Sequence, residues 1–148
     1  MLLSACSGQR YKISTENMSP ALKIGDVCKA ESLADSSIER FDIVVFNMPE
    51  DIKKLTGETG SVKIIARVVG LPGEKIEIRQ GKTFINEKLL DENFEKATDT
   101  EKDFSAFVIP ENEYFLLGDN RPQSLDSRYW KKPTVSRTEI SGRISGCN

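Results

Sequence analysis

Histidine is absent from the chain, which removes the commonest general base and the commonest zinc ligand together. Serine–histidine–aspartate catalysis is therefore excluded by composition. Cysteine is scarce: beside Cys6 there are only Cys28 and Cys147, too far apart in sequence and too lacking in companion ligands to form a zinc-type cluster. No metal and no other cofactor is expected. Apolar runs are short, as at 41–46 and 106–110, whereas a helix needs about 20 consecutive apolar residues to span a bilayer. No transmembrane helix is predicted. An excess of basic charge is missing too: the formal net charge is −2, so nothing draws the chain to a phosphate backbone and nucleic acid is not an expected partner. Neither a fixed-period repeat nor a sustained heptad or amphipathic helix pattern is visible.

What remains is a balance of 38% hydrophobic and 30% charged residues in 148, enough for one folded domain with its own core. The amino-terminal residues 1–10 read as a tail ahead of a domain at 11–148. Within the tail, Leu3-Ser4-Ala5-Cys6-Ser7-Gly8 resembles the lipobox at which bacterial lipoproteins are cleaved and acylated on cysteine. Cys6 is thus a candidate lipid anchor of an exported protein. Only five residues precede it, too few for the charged and apolar regions of a targeting peptide, so a tail with an incidental cysteine is the alternative. Cys28 and Cys147 either pair in an oxidising compartment or stay as buried thiols, since sequence supplies no distance between them.

Turn and strand signals alternate along the domain. Residues 11–24 and 27–30 read as strand, turn, strand around Gly25-Asp26, with Pro20 suited to a strand end because it has no amide proton. Residues 40–46 are rich in β-branched and aromatic side chains and end at Pro49, which predicts a buried strand. The polar stretch 51–60, with two glycines, predicts an exposed loop. A strand resumes over 62–69 and closes at Gly70-Leu71-Pro72-Gly73. Alternation on both sides of Gln80-Gly81 predicts a β-hairpin, and residues 87–103, with seven acidic and three basic side chains, predict a mobile acidic insertion. Residues 75–113 are thereby read as an inserted hairpin and acidic loop. Strand character returns at 104–110 and 114–117. The fold class is mainly β, with packed, coiled antiparallel sheets.

Three segments in order resemble type I signal peptidases: Asn17-Met18-Ser19-Pro20-Ala21-Leu22, then Ala66-Arg67-Val68-Val69-Gly70-Leu71-Pro72-Gly73, then Gly118-Asp119-Asn120-Arg121-Pro122-Gln123-Ser124-Leu125-Asp126-Ser127-Arg128. Residues 40–46 resemble a fourth, and the similarity runs from about residue 14 to 144. The resemblance implies a serine-type endopeptidase fold in which a serine just before the methionine attacks the peptide carbonyl and a lysine just before the arginine takes its proton. A serine hydroxyl needs such a base within reach, and lysine acts as a base only where burial lowers its pKa.

Here Asn17 stands before Met18, and Ala66 stands before Arg67. A carboxamide has no hydroxyl to acylate, and a methyl cannot accept a proton. Loss of one member of such a unit costs about 10⁴ to 10⁶ in turnover, and loss of the second adds little. By the same resemblance Thr15 falls where the family holds the oxyanion, the alternative being an ordinary strand threonine, and Ser124 falls where the family orients the lysine ammonium, free now to bind water or Asn17. Asp119, Asn120, Arg121, Asp126 and Arg128 are read as a framework that holds a tight loop by side-chain to backbone bonds and an ion pair. Replacement residues are poorly placed. Ser19 on a regular strand lies about 6–7 Å beyond Asn17, Lys63 sits at an odd offset from Ala66, and Lys23 borders a turn.

The implied function is that of a pseudopeptidase of the bacterial cell envelope, on the extracytoplasmic side, that binds an extended peptide, a signal-peptide segment or a partner protein. The alternatives are an active endopeptidase that removes signal peptides through an unrecognised nucleophile, and a scaffold whose acidic segment 87–103 or basic Arg128, Lys131, Lys132 and Arg137 contact partners.

Overall fold

The computed structural model describes residues 8–34 and 36–148; Cys6 lies outside the described residues. Its elements are β1 (Gln9–Lys12), β2 (Val27–Glu31), β3 (Ile43–Asn47), α1 (Glu50–Thr56), β4 (Lys63–Gly70), β5 (Lys75–Arg79), β6 (Lys82–Ile85), β7 (Lys88–Leu89), β8 (Phe104–Val108), β9 (Glu113–Leu117), β10 (Val135–Ser136) and β11 (Ile140–Cys147). They form a seven-stranded sheet in the order β1-β2-β11-β3-β4-β9-β10 and a four-stranded sheet in the order β7-β6-β5-β8. Neighbouring strands in both run antiparallel. The protein is mainly β, as its sequence predicts.

Composition explains which strands are central. In β3 the run Val44-Val45-Phe46 is completely buried, and in β4 the stretch from Ala66 to Gly70 is buried as well. Strands covered on both faces lose the polar alternation of half-exposed ones. One core gathers Val44, Phe46, Ala66, Val68, Leu116 and Trp130 with their neighbours. A second, under the smaller sheet, gathers Val69, Ile76, Ile78, Ile109, Phe115 and Leu117. A third, small cluster sets Met18 and Leu22 against Ile13 and Cys28, with Ile65 beside them, and it anchors the segment that carries Asn17.

The smaller sheet begins with the expected hairpin. Arg79 faces Lys82, and Gln80 and Gly81 both have positive φ, 49° and 73°, the geometry of a two-residue turn that follows the twist of its strands. A second such turn, at Asn86 and Glu87 (φ 49° and 70°), leads into β7.

Three expectations are corrected, and one open question is answered. Residues 51–60 are not all loop, because α1 occupies Glu50–Thr56; Glu50 and Asp51 lie in its first turn, Lys53 and Lys54 in its last, and Gly57 closes it in the left-handed region with φ 76°. These charges complement the helix dipole, and Ile52 is the side chain it buries. Segment 87–103 is tied down rather than free: Glu92 pairs with Arg121 at 2.6 Å and with Lys96, and Asp99 pairs with Arg128 at 3.1 Å. The strand expected over 11–24 ends at Lys12, and residues 17–22 form turns closed by the Leu22 amide donating to the Met18 carbonyl. Ser19 is therefore not on a strand beyond Asn17. Cys28 and Cys147, left open by sequence, form a disulfide across a separation of 119 residues.

Candidate active site

A groove of about 350 Å³ runs between the segment 11–18 and the start of β4. Apolar side chains form much of its lining, among them Ile13, Met18, Met48, Ile52, Ile64 and Leu125, and the charged groups that line it are Lys12, Glu58 and Lys63. Among the described residues its two long walls are unpaired backbone edges, one an edge of β4 and the other the extended segment that continues β1. On one side the Ile13 amide donates to Asp26 and the Ile13 carbonyl accepts from Gly25, so by the alternation of an extended chain the backbone groups of Lys12 and Ser14 face the groove. On the other, the Met48 amide donates to the Val62 carbonyl, so β4 presents Lys63 and Ile65 on its opposite edge, which β9 joins only from Arg67 onward.

Asn17 closes one end of this groove. Its Nδ2 donates to the Ile65 carbonyl at 2.8 Å, and its Oδ1 accepts from the Thr15 hydroxyl at 2.7 Å. Since the Ile65 carbonyl belongs to the peptide bond leading into Ala66, the bond brings the positions of Asn17 and Ala66 together across a sequence separation that their motifs alone leave open. Ala66 is 3% exposed and sits in the main core. Thr15 directs its hydroxyl to Asn17, and the Asn17 carboxamide is engaged by Thr15 and Ile65 rather than by Ser124. Ser124 is buried next to the same backbone: a Cβ on Gly118 would lie 2.2 Å from Ser124 Oγ and 2.5 Å from the Asn17 carbonyl oxygen. Only glycine permits that approach. The Asn120 amide donates to the Asn17 carbonyl at 3.0 Å, and Asn120 Nδ2 donates to the Glu16 carbonyl at 3.1 Å. The turn with Asn17 and the loop after β9 are thus laced together.

Behind them lies a buried network of charge. Arg67 makes a bidentate pair with Asp119, Nε to Oδ1 at 2.8 Å and a terminal nitrogen to Oδ2 at 2.6 Å, and also donates to the Phe41 carbonyl. The Phe94 ring covers its guanidinium with the centroid 4.2 Å away. Arg121 donates to the Gly118 carbonyl and to Glu92. Arg128 donates to both oxygens of Asp126, to Asp99 and to the Arg121 carbonyl. Burial opposes the charge on Arg128, yet the hydrogen bond to Asp126 and the charges of Asp126, Tyr129 and Asp99 outweigh it and raise its pKa. Asp126 in turn accepts from the Gly118 amide, which fixes the end of β9.

Sequence reasoning missed Glu92, Phe94 and Asp99 by treating their segment as solvated. A signal was present. Three arginines in the motif segments, Arg67, Arg121 and Arg128, are flanked by residues that bury, and buried guanidinium groups need partners. The motifs supply only Asp119 and Asp126, so another carboxylate had to come from elsewhere in the chain. Among the described residues no group of three or more His, Cys, Asp or Glu side chains is arranged to hold a metal ion.

The mainly β domain thus carries an edge-walled groove that ends beside residues 17 and 65. Comparison with known proteins gives the family. The family described as "Signal peptidase, peptidase S26" matches residues 1–147. The chain is 35% identical over 136 residues to a probable signal peptidase I-2 of Synechocystis sp., covering 90% of this chain and 59% of that protein. It is 33% identical over 150 residues to signal peptidase I V of Bacillus subtilis, covering 91% of this chain and 82% of the relative. The crystal structure of a signal peptidase I from Enterococcus faecalis superimposes with a TM-score of 0.57 at 31% identity, over 74% of this chain and 98% of the other. This chain belongs to the signal peptidase family, peptidase S26. It spans 59% and 64% of the length of the cyanobacterial relatives from Synechocystis and Leptolyngbya laminosa.

Proposed function

We propose that the protein is a signal-peptidase-like member of the cell envelope, acting on the extracytoplasmic side, that captures extended peptides without cutting them. The Asn17 carboxamide carries this reading: at the end of the groove it is held between Thr15 and the Ile65 carbonyl, with the methyl of Ala66 on the next residue of β4. Acyl transfer needs a hydroxyl or thiol and a base within hydrogen-bond reach, and neither side chain offers one. Peptide capture by strand addition needs free backbone edges and pockets between them, and the groove has both. Its ligand is an extended, signal-peptide-like segment of an exported protein or of a partner. Residues 75–113 serve as a structural insertion behind the site, and Cys6 as a lipid anchor that holds the domain at the membrane surface.

Incubation of the purified domain with a signal-peptide substrate should release no product, while chemical-shift changes on titration with the same peptide should centre on Lys12, Ser14, Lys63 and Ile65. Absence of such changes at millimolar peptide would overturn peptide capture. The names of the relatives are consistent with a second reading, an active endopeptidase, which here would need another nucleophile, and one contact gives it a candidate: Lys63, on the rim of the groove, donates to the Ser141 hydroxyl at 2.6 Å. Cleavage that disappears on Ser141→Ala would establish that reading and sink the first.

A further inference from the structure

Resting on the peptide-capture reading, we infer that the groove selects peptides that end in it, recognising a free C-terminal carboxylate against Asn17. The Asn17 side chain occupies the Ile65 carbonyl, the acceptor that the next amide of an added strand would use. A ladder along the free edge of β4 therefore runs past Lys63 and stops at residue 65. Beyond residue 65 the edge is already taken by β9, which pairs with Arg67, and the loop 118–120 is tied to the Asn17 and Glu16 carbonyls. A peptide chain has no edge to follow past this point.

The chemistry at the closed end favours one kind of terminus. A primary amide carries two N–H donors and one carbonyl. One donor of Asn17 goes to Ile65 and its carbonyl accepts one bond from Thr15, which among the described residues leaves a second N–H and one carbonyl lone pair. Asn17 is partly exposed to the groove. A carboxylate, which only accepts, fits the remaining N–H. The charged groups along the groove are Lys12, Lys63 and Glu58, two cations against one anion, so the local field also draws an anionic end. Peptides with such ends arise from an endopeptidase that cuts exported proteins elsewhere. The domain thus acts after a cleavage that it does not perform.

The test uses one signal-peptide-like sequence in three forms, ending in a free carboxylate, ending in a carboxamide, and extended by six residues beyond the same point, each titrated calorimetrically against the oxidised domain. The free acid should bind at least about tenfold more tightly than the other two, the size of one charge-assisted hydrogen bond. Equal binding of the three forms would overturn the selection while leaving peptide capture standing; failure of all three to bind would remove both. Asn17→Asp places a carboxylate where the donor stands and should abolish the preference for the acid, and Asn17→Ala should flatten it. A preference retained in both variants, with unchanged amide spectra outside residues 14–18 and 64–66, would assign the carboxylate to some other group and overturn the role of Asn17.

Discussion

Asn17 and Ala66 are single-residue departures with separable consequences. Asn17→Ser would restore a hydroxyl and release Thr15 from the carboxamide that now holds it, but with a methyl at position 66 the hydroxyl has no base. Ala66→Lys would bury an ammonium at a position 3% exposed, where burial lowers a lysine pKa toward the range of a useful base. The two together should therefore yield measurable cleavage of a signal-peptide substrate, and either alone should not; an inert but folded double variant would mean that the groove has diverged beyond this pair. The buried pair Arg67–Asp119 behaves differently, because its role is internal. Asp119→Ala leaves the guanidinium without its bidentate partner and should cost about 3–5 kcal/mol, read as a fall in the urea midpoint.

At the scale of elements, segment 87–103 works as a strap. Glu92 sits between Arg121 and Lys96, Phe94 covers Arg67 and touches Phe41 edge-on at 5.3 Å, and Asp99 reaches Arg128. Glu92→Gln should raise amide exchange across the strap and the loop after β9 before it affects β3 or β4. The pairing of β9 with β10 brings a pH dependence. Glu113 is partly desolvated, which opposes its charge, but hydrogen bonds from Thr134 and Lys132 and the charge of Lys132 prevail and hold its carboxyl below the usual range. Its contribution is present above the unfolded carboxylate pKa and is lost as pH falls through the lowered value, so Glu113→Gln should flatten the acid limb of the stability profile. Strands β3, β4 and the β5–β6 hairpin were legible because hydrophobic period and turn residues agree there. Helix α1 was hidden by two glycines and a polar surface, although its terminal charges and Gly57 mark both ends. The strap was hidden for a different reason: its acidic residues look solvated until the arginines they neutralise are placed in space. The approach of Asn17 to β4 depends on a long-range contact that no local pattern encodes, and here the family motifs supplied what periodicity lacked.

For the whole molecule the Cys28–Cys147 bond is the long-range covalent constraint among the described residues. Beside it the carboxyl-terminal Asn148 exchanges backbone hydrogen bonds with Val27, so the end of β11 is fastened to the start of β2. Replacing both cysteines with serine should lower stability by about 2–4 kcal/mol, seen as a lower midpoint that matches that of the reduced native protein. Among the described residues no helix is long and apolar enough to cross a membrane. The same bond also divides the chain into two covalent classes. Everything from 28 to 147 lies in a closed circle, whereas β1 and the turn bearing Asn17 hang from it as a tail. A protease cut inside the circle leaves its fragments tied under non-reducing conditions, but a cut between Leu22 and Cys28 frees an entire bank of the groove. The bank that carries Asn17 is thus the one that can be detached, or supplied in trans as a synthetic peptide.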